Sequence, residues 1–371
     1  MKILMAAGGS GGHIFPAIAL AKELKKSIPD IGIMFIGSDK ELDRRIFEKE
    51  RLDFKLISSN KFPYKASPAI IAFTLKFLVD LFKVFFILLK YKPDAVVGFG
   101  GYVPCPVLIS ASILRIPKVV HEQNVSPGRA NKLMFTLADK VAISFEETKR
   151  FLGKDMHKAV FTGNPIRIKD FMNGDIRAGK DVCVRKFGLD VSKFTILVVG
   201  GSQGAHALNE TFTEALSNLD DRLVSSLQVI HITGVKDYEW AIKVYEDLNA
   251  AVRIFSFIDR IEEAYGAADL VITRAGASAI FEVAFFGKPM ILVPYKFAMS
   301  HQMENAHVFF SRGAAIELDE SKLSSEVFKE ALTGLLNDRS RLEKMAECVK
   351  RLSVPAAAEN LARETLKAMK G

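Results

Sequence analysis

The stretch from residue 273 to residue 305 contains polar side chains whose types and spacing suit a phosphorylated sugar. A turn of small residues ends at Ser278, which is predicted to cap the following helix. Backbone N–H groups at a helix start lack intrahelical partners, so this turn suits phosphate. Ionised Glu282 only accepts hydrogen bonds and suits adjacent ribose hydroxyls, whereas Gln302 and Asn305 share a predicted helix face that suits sugar hydroxyls. Together these residues indicate a nucleotide-sugar site.

A second group of residues with chemical potential lies at the start of the chain. A predicted strand leads into the glycine loop at residues 8–12, and His13 opens the predicted helix at residues 14–25. Strand, glycine loop and helix in this order form an anion-binding junction, although neither the dinucleotide-binding spacing nor the P-loop spacing is present. A helix N-terminus favours a neutral imidazole, so His13 is a candidate general base. The alternative for both groups is ordinary helix caps and packed or solvated side chains.

The predicted elements that position these residues form two similar halves. Apolar strands alternate with helices, first at residues 2–7, 31–36, 53–56, 94–98, 118–121, 140–144 and 160–161, and again at 194–199, 228–232, 252–255, 270–273 and 290–293. This predicts an α/β fold of two Rossmann-like doubly wound domains facing across a cleft. The predicted domains are residues 1–164 and 165–354, with the turn at Gly163-Asn164-Pro165 as the hinge and a last helix, 355–371, returning to the first domain.

Further polar and glycine-rich segments follow strands of the first half. The loop at residues 98–103 is rich in glycine, and Glu122, Gln123 and Asn124 follow the strand at residues 118–121. Because the carboxyl ends of parallel strands meet at one sheet edge, these three side chains are expected to point into the crevice that the glycine loops share.

Composition limits the functional classes. The 371 residues carry a formal net charge of +8 with pI near 9.2, which favours an anionic partner. No basic block interleaved with aromatic residues appears, so no nucleic-acid partner is expected. The three cysteines are far apart and lack metal-ligand spacing, which indicates a reducing cytoplasm, and the apolar start is too short for a signal peptide.

The segment from residue 68 to residue 90 is predicted to form an unusually apolar helix. Lys76, Asp80, Lys83 and Lys90 fall on one helical stripe, and most other positions are Ile, Leu, Val or Phe. The apolar runs are too interrupted to span a bilayer. We therefore expect part of this helix to contact an anionic membrane surface, whereas a helix fully buried against a sheet is the alternative.

Six motifs in order make the whole chain resemble the MurG family of bacterial peptidoglycan glycosyltransferases. They are GGSGGH at 8–13, GFGGYV at 98–103, HEQN at 121–124, TGNPIR at 162–167, GGSQGA at 200–205, and SAIFE with HQMEN between 278 and 305. The resemblance implies the GT-B fold. It also implies transfer of N-acetylglucosamine from UDP-GlcNAc to the 4-hydroxyl of undecaprenyl-diphospho-N-acetylmuramoyl-pentapeptide, converting lipid I to lipid II at the cytoplasmic membrane face.

The resemblance implies a set of donor contacts. Ile258 would meet uracil through its backbone, Glu282 the ribose, Ser202 and the turn before Glu282 the diphosphate, and Gln302 with Asn305 the GlcNAc hydroxyls. The complete set of implied UDP-GlcNAc contacts is Ser10, Gly11, Gly12, Asn124, Arg167, Ser202, Ile258, Ala277, Ser278, Ala279, Ile280, Phe281, Glu282, Gln302 and Asn305. Two positions depart from the family pattern: Ser10 replaces a frequent Thr, and His301 a frequent Gln, which puts the second sugar contact in doubt.

The resemblance also implies an acceptor site and a membrane patch. His13 would be the base. The acceptor diphosphate would contact Gly11, Gly12, Gly100, Gly101 and Tyr102, and the membrane would contact Phe73, Lys76, Phe77, Leu81, Lys83 and Phe85. Lipid I, the anionic cytoplasmic membrane surface and other cell-wall synthesis proteins are therefore the expected partners, and the expected location is peripheral. No Asp-x-Asp sequence occurs, so no metal or other cofactor is expected, and the helix N-termini with Arg167 would stabilise the leaving UDP.

Three other functions remain open on the sequence. An NAD-dependent oxidoreductase is disfavoured because Asp39 is the only acidic candidate after the second strand and because glycine loops open both halves. A UDP-sugar transferase acting on diacylglycerol would share the donor site and the apolar helix. A non-catalytic nucleotide-sugar sensor at the membrane would bind UDP-GlcNAc without turnover.

Overall fold

The computed structural model describes residues 1–58, 69–167, 179–200, 205–295 and 301–370. The chain divides into two compact units, Met1–Arg167 with Val354–Gly371, and Ile168–Ser353. The boundary therefore lies slightly beyond the predicted hinge turn, and the C-terminal segment belongs to the first unit.

The first unit contains a parallel sheet of seven described strands in the order β3-β2-β1-β4-β5-β6-β7. These are β1 (Lys2–Ala6), β2 (Gly32–Ser38), β3 (Asp53–Ile57), β4 (Ala95–Gly98), β5 (Lys118–Glu122), β6 (Lys140–Ile143) and β7 (Ala159–Phe161). Its helices are α1 (Gly11–Ser27), α2 (Glu41–Lys49), α3 (Ala69–Tyr91), α4 (Pro104–Ile113) and α5 (Arg129–Leu137), with 3-10 turns at Glu146–Phe151 and Gly153–Lys158.

The second unit contains a parallel sheet of six described strands in the order β10-β9-β8-β11-β12-β13. They are β8 (Phe194–Val199), β9 (Leu227–Ile232), β10 (Ala251–Phe255), β11 (Leu270–Thr273), β12 (Met290–Leu292) and β13 (Ala315–Glu317). The helices are α6 (Lys180–Lys186), α7 (His206–Ser217), α8 (Asp221–Ser226), α9 (Tyr238–Glu246), α10 (Ile261–Ala267), α11 (Ala277–Phe285), α12 (His301–Ser311), α13 (Ser325–Leu336) and α14 (Arg339–Leu352), with a 3-10 turn at Glu320–Lys322. The predicted α/β fold of two doubly wound halves is confirmed, and β13 is an edge strand that the sequence analysis missed.

The last helix, α15 (Ala357–Ala368), packs on the first unit. Leu361 is fully buried in the same core as Ile14 and Ile18 of α1. Glu364 pairs with Lys140 of β6 at 2.9 Å, and Asn360 donates to the Thr162 carbonyl at 3.3 Å. These contacts join the C-terminus to the strands that carry the first unit's loops.

Helix α3 lies against the sheet with one face and exposes the other. Val84 and Leu88 are buried in the core, and Asp80 is buried because its carboxylate accepts from the Ser58 backbone N–H at 3.2 Å and hydroxyl at 2.8 Å. The fully exposed apolar face is formed by Ile71, Leu75, Leu78, Val79, Phe82, Phe86 and Leu89.

The apolar residues predicted for the membrane face of this helix are less exposed than this face. Phe73, Phe77, Leu81 and Phe85 are only half-exposed and lie toward the packed side. A helix that is apolar around most of its circumference does not specify its buried side by sequence periodicity alone. Lys76 and Lys83 are exposed as predicted. Within the described residues, no helix has the length and apolar character needed to cross a bilayer.

Candidate functional site

In the first unit, the loops after β1 and β4 lie side by side where the strand order reverses. Strands β2 and β1 continue in one direction from this point, and β4 and β5 in the other. Ligands of doubly wound sheets bind outside the carboxyl ends of the strands at such a switch point. The loops at Gly8–Gly12 and Gly98–Tyr102 therefore occupy the position in which a binding site is expected.

His13 is in the first turn of α1, with its ring against the second loop. A Cβ on Gly101 would lie 3.2 Å from His13 Cε1, and Gly100 and Gly101 have φ values of 85° and 75°, a region that favours glycine. The loop therefore approaches the ring as closely as it does because both residues lack a side chain.

The hydrogen bonds of His13 define its neutral tautomer. Nδ1 lies 3.2 Å from the Gly8 carbonyl, which only accepts, and 3.3 Å from the Ser10 hydroxyl. Nδ1 therefore carries the proton, and the lone pair is on Nε2. This arrangement makes Nε2 the basic atom of the ring.

The first glycine loop is anchored by Asp43, which the sequence analysis missed. Its carboxylate, fully buried, accepts from the Gly9 backbone N–H at 2.9 and 3.1 Å and from the Ser38 hydroxyl at 2.6 Å. A Cβ on Gly8 would lie 2.5 Å from Asp43 Oδ2, so Gly8 must be glycine. The sequence signal was an acidic residue in the first turn of α2, which also fits an ordinary surface position.

Glu122 and Gln123 do not point into the crevice as predicted, which corrects that expectation. Glu122 ends β5 with its side chain fully buried, and Gln123 is 2% exposed. Glu122 accepts from the Asn124 backbone N–H at 2.9 Å and from the Asn131 amide, and burial raises the pKa of Glu122 to about 7. Both polar side chains are retained in the interior because buried partners satisfy most of their hydrogen-bonding groups. Only Asn124 is half-exposed.

Arg167 packs against the Phe15 ring in the first turns of α1. Its guanidinium lies 4.3 Å from the centre of the Phe15 ring, and a Cβ on Gly11 would lie 2.9 Å from the same ring. Ser10 and Gly11 are half-buried, Gly12 is exposed and Tyr102 is half-buried. The structure therefore brings together most of the site residues predicted in the first unit.

In the second unit, the strand order reverses between β8 and β11. The loop after β8 includes Ser202, which lies outside the described residues. The loop after β11 ends at Gly276, which is the N-cap of α11, so the helix begins at Ala277 and Ser278 is not its cap. Ser278 makes no side-chain cap because it already lies within the first turn. The helix nevertheless starts just after β11, the strand that pairs with β8 at the switch point.

The predicted donor residues on α11 divide by helix face. Ala277, Ile280 and Phe281 are buried, whereas Ser278, Ala279 and Glu282 are half-buried. Tyr265 of α10 donates to Glu282 Oε2 at 3.4 Å, and Ile258 is half-buried in the loop before α10. Glu282 and Ile258 therefore flank α10 from its two sides.

Gln302 and Asn305 are both on α12, but they have different surroundings. Gln302 Oε1 accepts from the Tyr295 backbone N–H at 2.9 Å, and its neighbour His301 is half-buried. Asn305 is fully buried and donates to the Ala275 carbonyl at 3.1 Å. In this structure Asn305 therefore orders the turn before α11, because the helix face it shares with Gln302 packs against that turn.

Arg274 is a second residue that the sequence analysis missed. It is 8% exposed, donates to the Val293 carbonyl at 3.1 Å and pairs with Glu320, and its guanidinium lies 5.4 Å from the centre of the Tyr295 ring. It connects the carboxyl ends of β11 and β12 to the segment that holds Gln302. In the described residues, no group of His, Cys, Asp or Glu is arranged to hold a metal ion.

Family models match both units. The glycosyltransferase family 28 N-terminal domain matches residues 3–143, and the family 28 C-terminal domain matches residues 195–361. Two doubly wound units with these loops define a GT-B glycosyltransferase, as the sequence predicted. The chain belongs to glycosyltransferase family 28 and, within it, to the MurG family.

Relatives and solved structures agree with this assignment. The Halothermothrix orenii UDP-N-acetylglucosamine--N-acetylmuramyl-(pentapeptide) pyrophosphoryl-undecaprenol N-acetylglucosamine transferase is 37% identical over 97% of this chain and 97% of its own length. The Flavobacterium psychrophilum protein of the same name is 37% identical over 99% and 97%. The crystal structure of Acinetobacter baumannii MurG has TM-score 0.77 and 29% identity, covering 99% of each chain. A UDP-GlcNAc 2-epimerase from Neisseria meningitidis shares the fold, with TM-score 0.72 and 15% identity over 99% of this chain and 100% of its own.

Proposed function

We propose that this enzyme transfers N-acetylglucosamine from UDP-GlcNAc to the C4 hydroxyl of undecaprenyl-diphospho-N-acetylmuramoyl-pentapeptide, with inversion, in peptidoglycan synthesis. The observation that carries the proposal is 37% identity over 97% of the chain to a transferase named for these substrates. The placement of the predicted site residues at the switch points of both sheets supports it.

His13 acts as the general base in this proposal. The acceptor hydroxyl gives its proton to Nε2, the hydroxyl oxygen forms a bond to the anomeric carbon, and the bond from that carbon to the UDP oxygen breaks with its electron pair leaving on UDP. The Gly8 carbonyl accepts from Nδ1–H, 3.2 Å away, and keeps the ring in the tautomer that this step requires. Gly11, Gly12, Gly100, Gly101 and Tyr102 bind the acceptor diphosphate.

The donor contacts follow the predicted residues, with one change in emphasis. Glu282 binds the ribose hydroxyls, the backbone of Ile258 the uracil, and Gln302 the GlcNAc hydroxyls. The first turn of α11 and Ser202 bind the diphosphate, and Ser10, Gly11, Gly12, Asn124 and Arg167 complete the donor contacts. Because Asn305 is fully buried, we assign it to the order of the turn before α11. Arg167 and helix N-termini stabilise the leaving UDP without a metal.

The exposed apolar face of α3 binds the anionic cytoplasmic surface of the membrane. Seven large apolar side chains are exposed along this face, among them Phe82 and Phe86 at 64% each, and Lys76, Lys83 and Lys90 are exposed as well. The protein is thereby peripheral, close to its lipid-linked acceptor and to other cell-wall synthesis proteins.

Radiolabelled UDP-GlcNAc and UDP-glucose, each offered with lipid I or diacylglycerol and followed by lipid extraction, test the proposal. We expect label in lipid only with UDP-GlcNAc and lipid I, unchanged by a chelator. Label in diacylglycerol would instead establish the alternative, a UDP-sugar:diacylglycerol transferase. Tight UDP-GlcNAc binding without any labelled lipid would contradict both and indicate a sensor.

His13→Ala tests the base assignment in the same assay. We expect kcat to fall by about 10²- to 10⁴-fold with little change in the KM for UDP-GlcNAc. His157→Ala, which removes an exposed histidine from a 3-10 turn, is the control and should behave as wild type. Wild-type turnover by His13→Ala would contradict the assignment.

A further inference from the structure

Three side chains from three different elements converge beneath Gly100. A Cβ on Gly100 would lie 3.1 Å from Asn131 Nδ2, 3.2 Å from Gln123 Oε1 and 3.3 Å from His13 Cδ2. Gln123 and Asn131 are 2% and 4% exposed, so this polar cluster is inside the protein. Neither residue belongs to the donor or acceptor contacts assigned above.

The orientation of the Gln123 amide is fixed by a neutral histidine. Burial lowers the pKa of His121 to about 4, and its Nε2 lies 3.2 Å from the Gly163 carbonyl, which only accepts. Nε2 therefore carries the proton, and Nδ1 accepts from Gln123 Nε2 at 3.1 Å. The second hydrogen on Gln123 Nε2 goes to the Phe99 carbonyl at 3.0 Å. Both donors face acceptors, which turns Oε1 toward Gly100.

The orientation of Asn131 is fixed in a similar way by Glu122. Asn131 Nδ2 donates to Glu122 Oε2. An ionised carboxylate only accepts hydrogen bonds, so the nitrogen of the Asn131 amide, and not its oxygen, faces Glu122. Gln123 Oε1 and Asn131 Oδ1 have no hydrogen-bond partner among the described residues. Of these two buried oxygens, Gln123 Oε1 lies on the Gly100 side, where His13 Cδ2 also approaches, and no donor neutralises it.

A carbonyl oxygen favours nearby positive charge, and the proposed reaction creates positive charge on this ring. When His13 accepts the acceptor's proton it becomes an imidazolium, and preorganised dipoles stabilise such a developing charge at no cost in reorganisation. The two amides also fill the space beside Gly100, and the Gly100–Gly101 turn lies against the same ring.

We propose that Gln123 is a positioning residue for glycosyl transfer, stabilising the protonated form of the His13 ring with its carbonyl oxygen, and that Asn131 supports the Gly100–Gly101 turn against which the ring lies. This inference rests on the proposed role of His13. A purely structural role would support the loop without altering the proton affinity of the ring.

Gln123→Met removes the carbonyl oxygen that lies on the Gly100 side. We expect kcat to fall about tenfold to a hundredfold with the KM for UDP-GlcNAc within about twofold of wild type, because the lost stabilisation belongs to the transition state. The acidic limb of the pH dependence of kcat, along which His13 loses its proton, should move to lower pH by about half a unit to one unit, because the imidazolium is less favoured.

Gln228→Met is the matched control, since Gln228 is also fully buried and its amide donates at 2.7 and 2.9 Å in the second unit. This control should lower the Tm without shifting the acidic limb of the pH dependence of kcat. Glu122 and His121 are the titratable groups packed against the cluster. Glu122→Gln is therefore measured in parallel, to show whether ionisation of Glu122 contributes to the pH dependence of kcat.

NMR titration of the His13 ring gives a readout that does not depend on turnover. The pKa of His13 should be lower in Gln123→Met than in wild type, and Gln123→Leu provides the same measurement if Gln123→Met does not fold. The inference is overturned if the Gln123 variants lower the Tm as Gln228→Met does, while the acidic limb of kcat and the pKa of His13 stay at their wild-type values. If instead His13→Ala retains turnover, the base assignment fails first.

Discussion

At the scale of single residues, the turns at the switch points of both sheets depend on a buried polar side chain that lies outside the turn. Asp43 holds the Gly9 backbone N–H in the first unit, and Asn305 holds the Ala275 carbonyl in the second. Each side chain satisfies one of the backbone groups that a sharp glycine or small-residue turn leaves without a partner.

Glu282→Ala should weaken donor binding specifically through the ribose. We expect the KM for UDP-GlcNAc to rise about tenfold to a hundredfold, because the variant loses charge-assisted hydrogen bonds to two ribose hydroxyls. With 2′-deoxyuridine diphosphate-GlcNAc, wild type should lose affinity and the variant should lose little more. Glu239→Ala, an exposed acidic residue in the first turn of α9, is the control. Equal losses on the deoxy donor in both proteins would contradict a ribose contact.

His231 should make the stability of the protein depend on pH. It is fully buried between Tyr245 and Asn209, at 2.8 and 3.0 Å, and burial lowers the pKa of His231 to about 3. Between about pH 6.5 and 3 the unfolded chain binds a proton at this residue and the folded chain does not, so the free energy of unfolding falls as the pH is lowered. The contribution is fully present above pH 6.5 and is lost progressively toward pH 3.

Urea unfolding of wild type and His231→Gln between pH 7 and pH 4 measures this effect. The variant should be less stable at pH 7, yet its stability should fall less steeply on acidification, by up to about 1.4 kcal/mol per pH unit. Identical slopes for the two proteins would show that His231 does not contribute. Because the pKa of Glu122 is raised to about 7, this residue makes the free energy of unfolding increase as the pH is lowered from about 7. That contribution is the same in both proteins.

At the scale of elements, α3 shows how an apolar helix can serve two surfaces. Val84 and Leu88 bury one face in the core, and buried Asp80 fixes the rotation of the helix through its hydrogen bonds to Ser58. The opposite face remains apolar and exposed, with Lys76 and Lys83 exposed beside it. One helix therefore stabilises the fold and presents an exposed apolar surface, which we propose binds lipid.

Phe82→Ser with Phe86→Ser should reduce membrane binding without loss of fold, because both side chains are exposed. At about 1.5–3 kcal/mol for each buried phenylalanine, the affinity for vesicles of anionic phospholipid should fall by at least a hundredfold. Vesicle sedimentation is the measurement, with salt titration to reveal the lysine contribution. Leu133→Ser, which changes an equally exposed residue on α5, should retain binding. Equal loss in both variants would contradict a specific face.

At the scale of the whole molecule, the chain is not divided at a single point. Residues 354–371 leave the second unit and complete the core of the first through Leu361 and the pair of Lys140 with Glu364. The first unit therefore depends on a segment that is distant from the rest of it in the sequence. Its loops, including the one that carries His13, are supported by this C-terminal helix.

Leu361→Ala should destabilise the first unit in particular. Removing a fully buried leucine side chain costs about 2–5 kcal/mol, and hydrogen exchange should increase in β1, β4 and α1 while β8 and β11 retain protection. Leu335→Ala, at a fully buried position of the second unit, should produce the reverse pattern. Exchange that increases equally in both units after Leu361→Ala would contradict a unit-specific role.

Much of this organisation was predictable from the sequence. The strands β8 and β11 were predicted to the residue, and the others except β13 within a few residues, because short apolar runs between glycine turns specify buried parallel strands. The restart of the pattern after residue 193 specified two halves, and the glycine loops with His13, Ser278 and Glu282 specified where a site would form.

Side-chain direction was decided by the tertiary structure. Sequence spacing placed Glu122 and Gln123 in the crevice, but the structure turns both into the interior, where Asn131 and the Phe99 carbonyl satisfy their hydrogen bonds. It likewise selected the exposed face of α3 and made Asn305 a support for a turn.

The sequence by itself determined the order of the elements, the two doubly wound sheets and the backbone turns, because these depend on local propensity and on apolar periodicity. Only the tertiary structure decided which polar side chain meets which partner, including Asp43 at Gly9 and the tautomers of His13 and His121. The physical reason is that a buried hydrogen bond depends on the position of a partner that is distant in sequence, and no local pattern encodes that position.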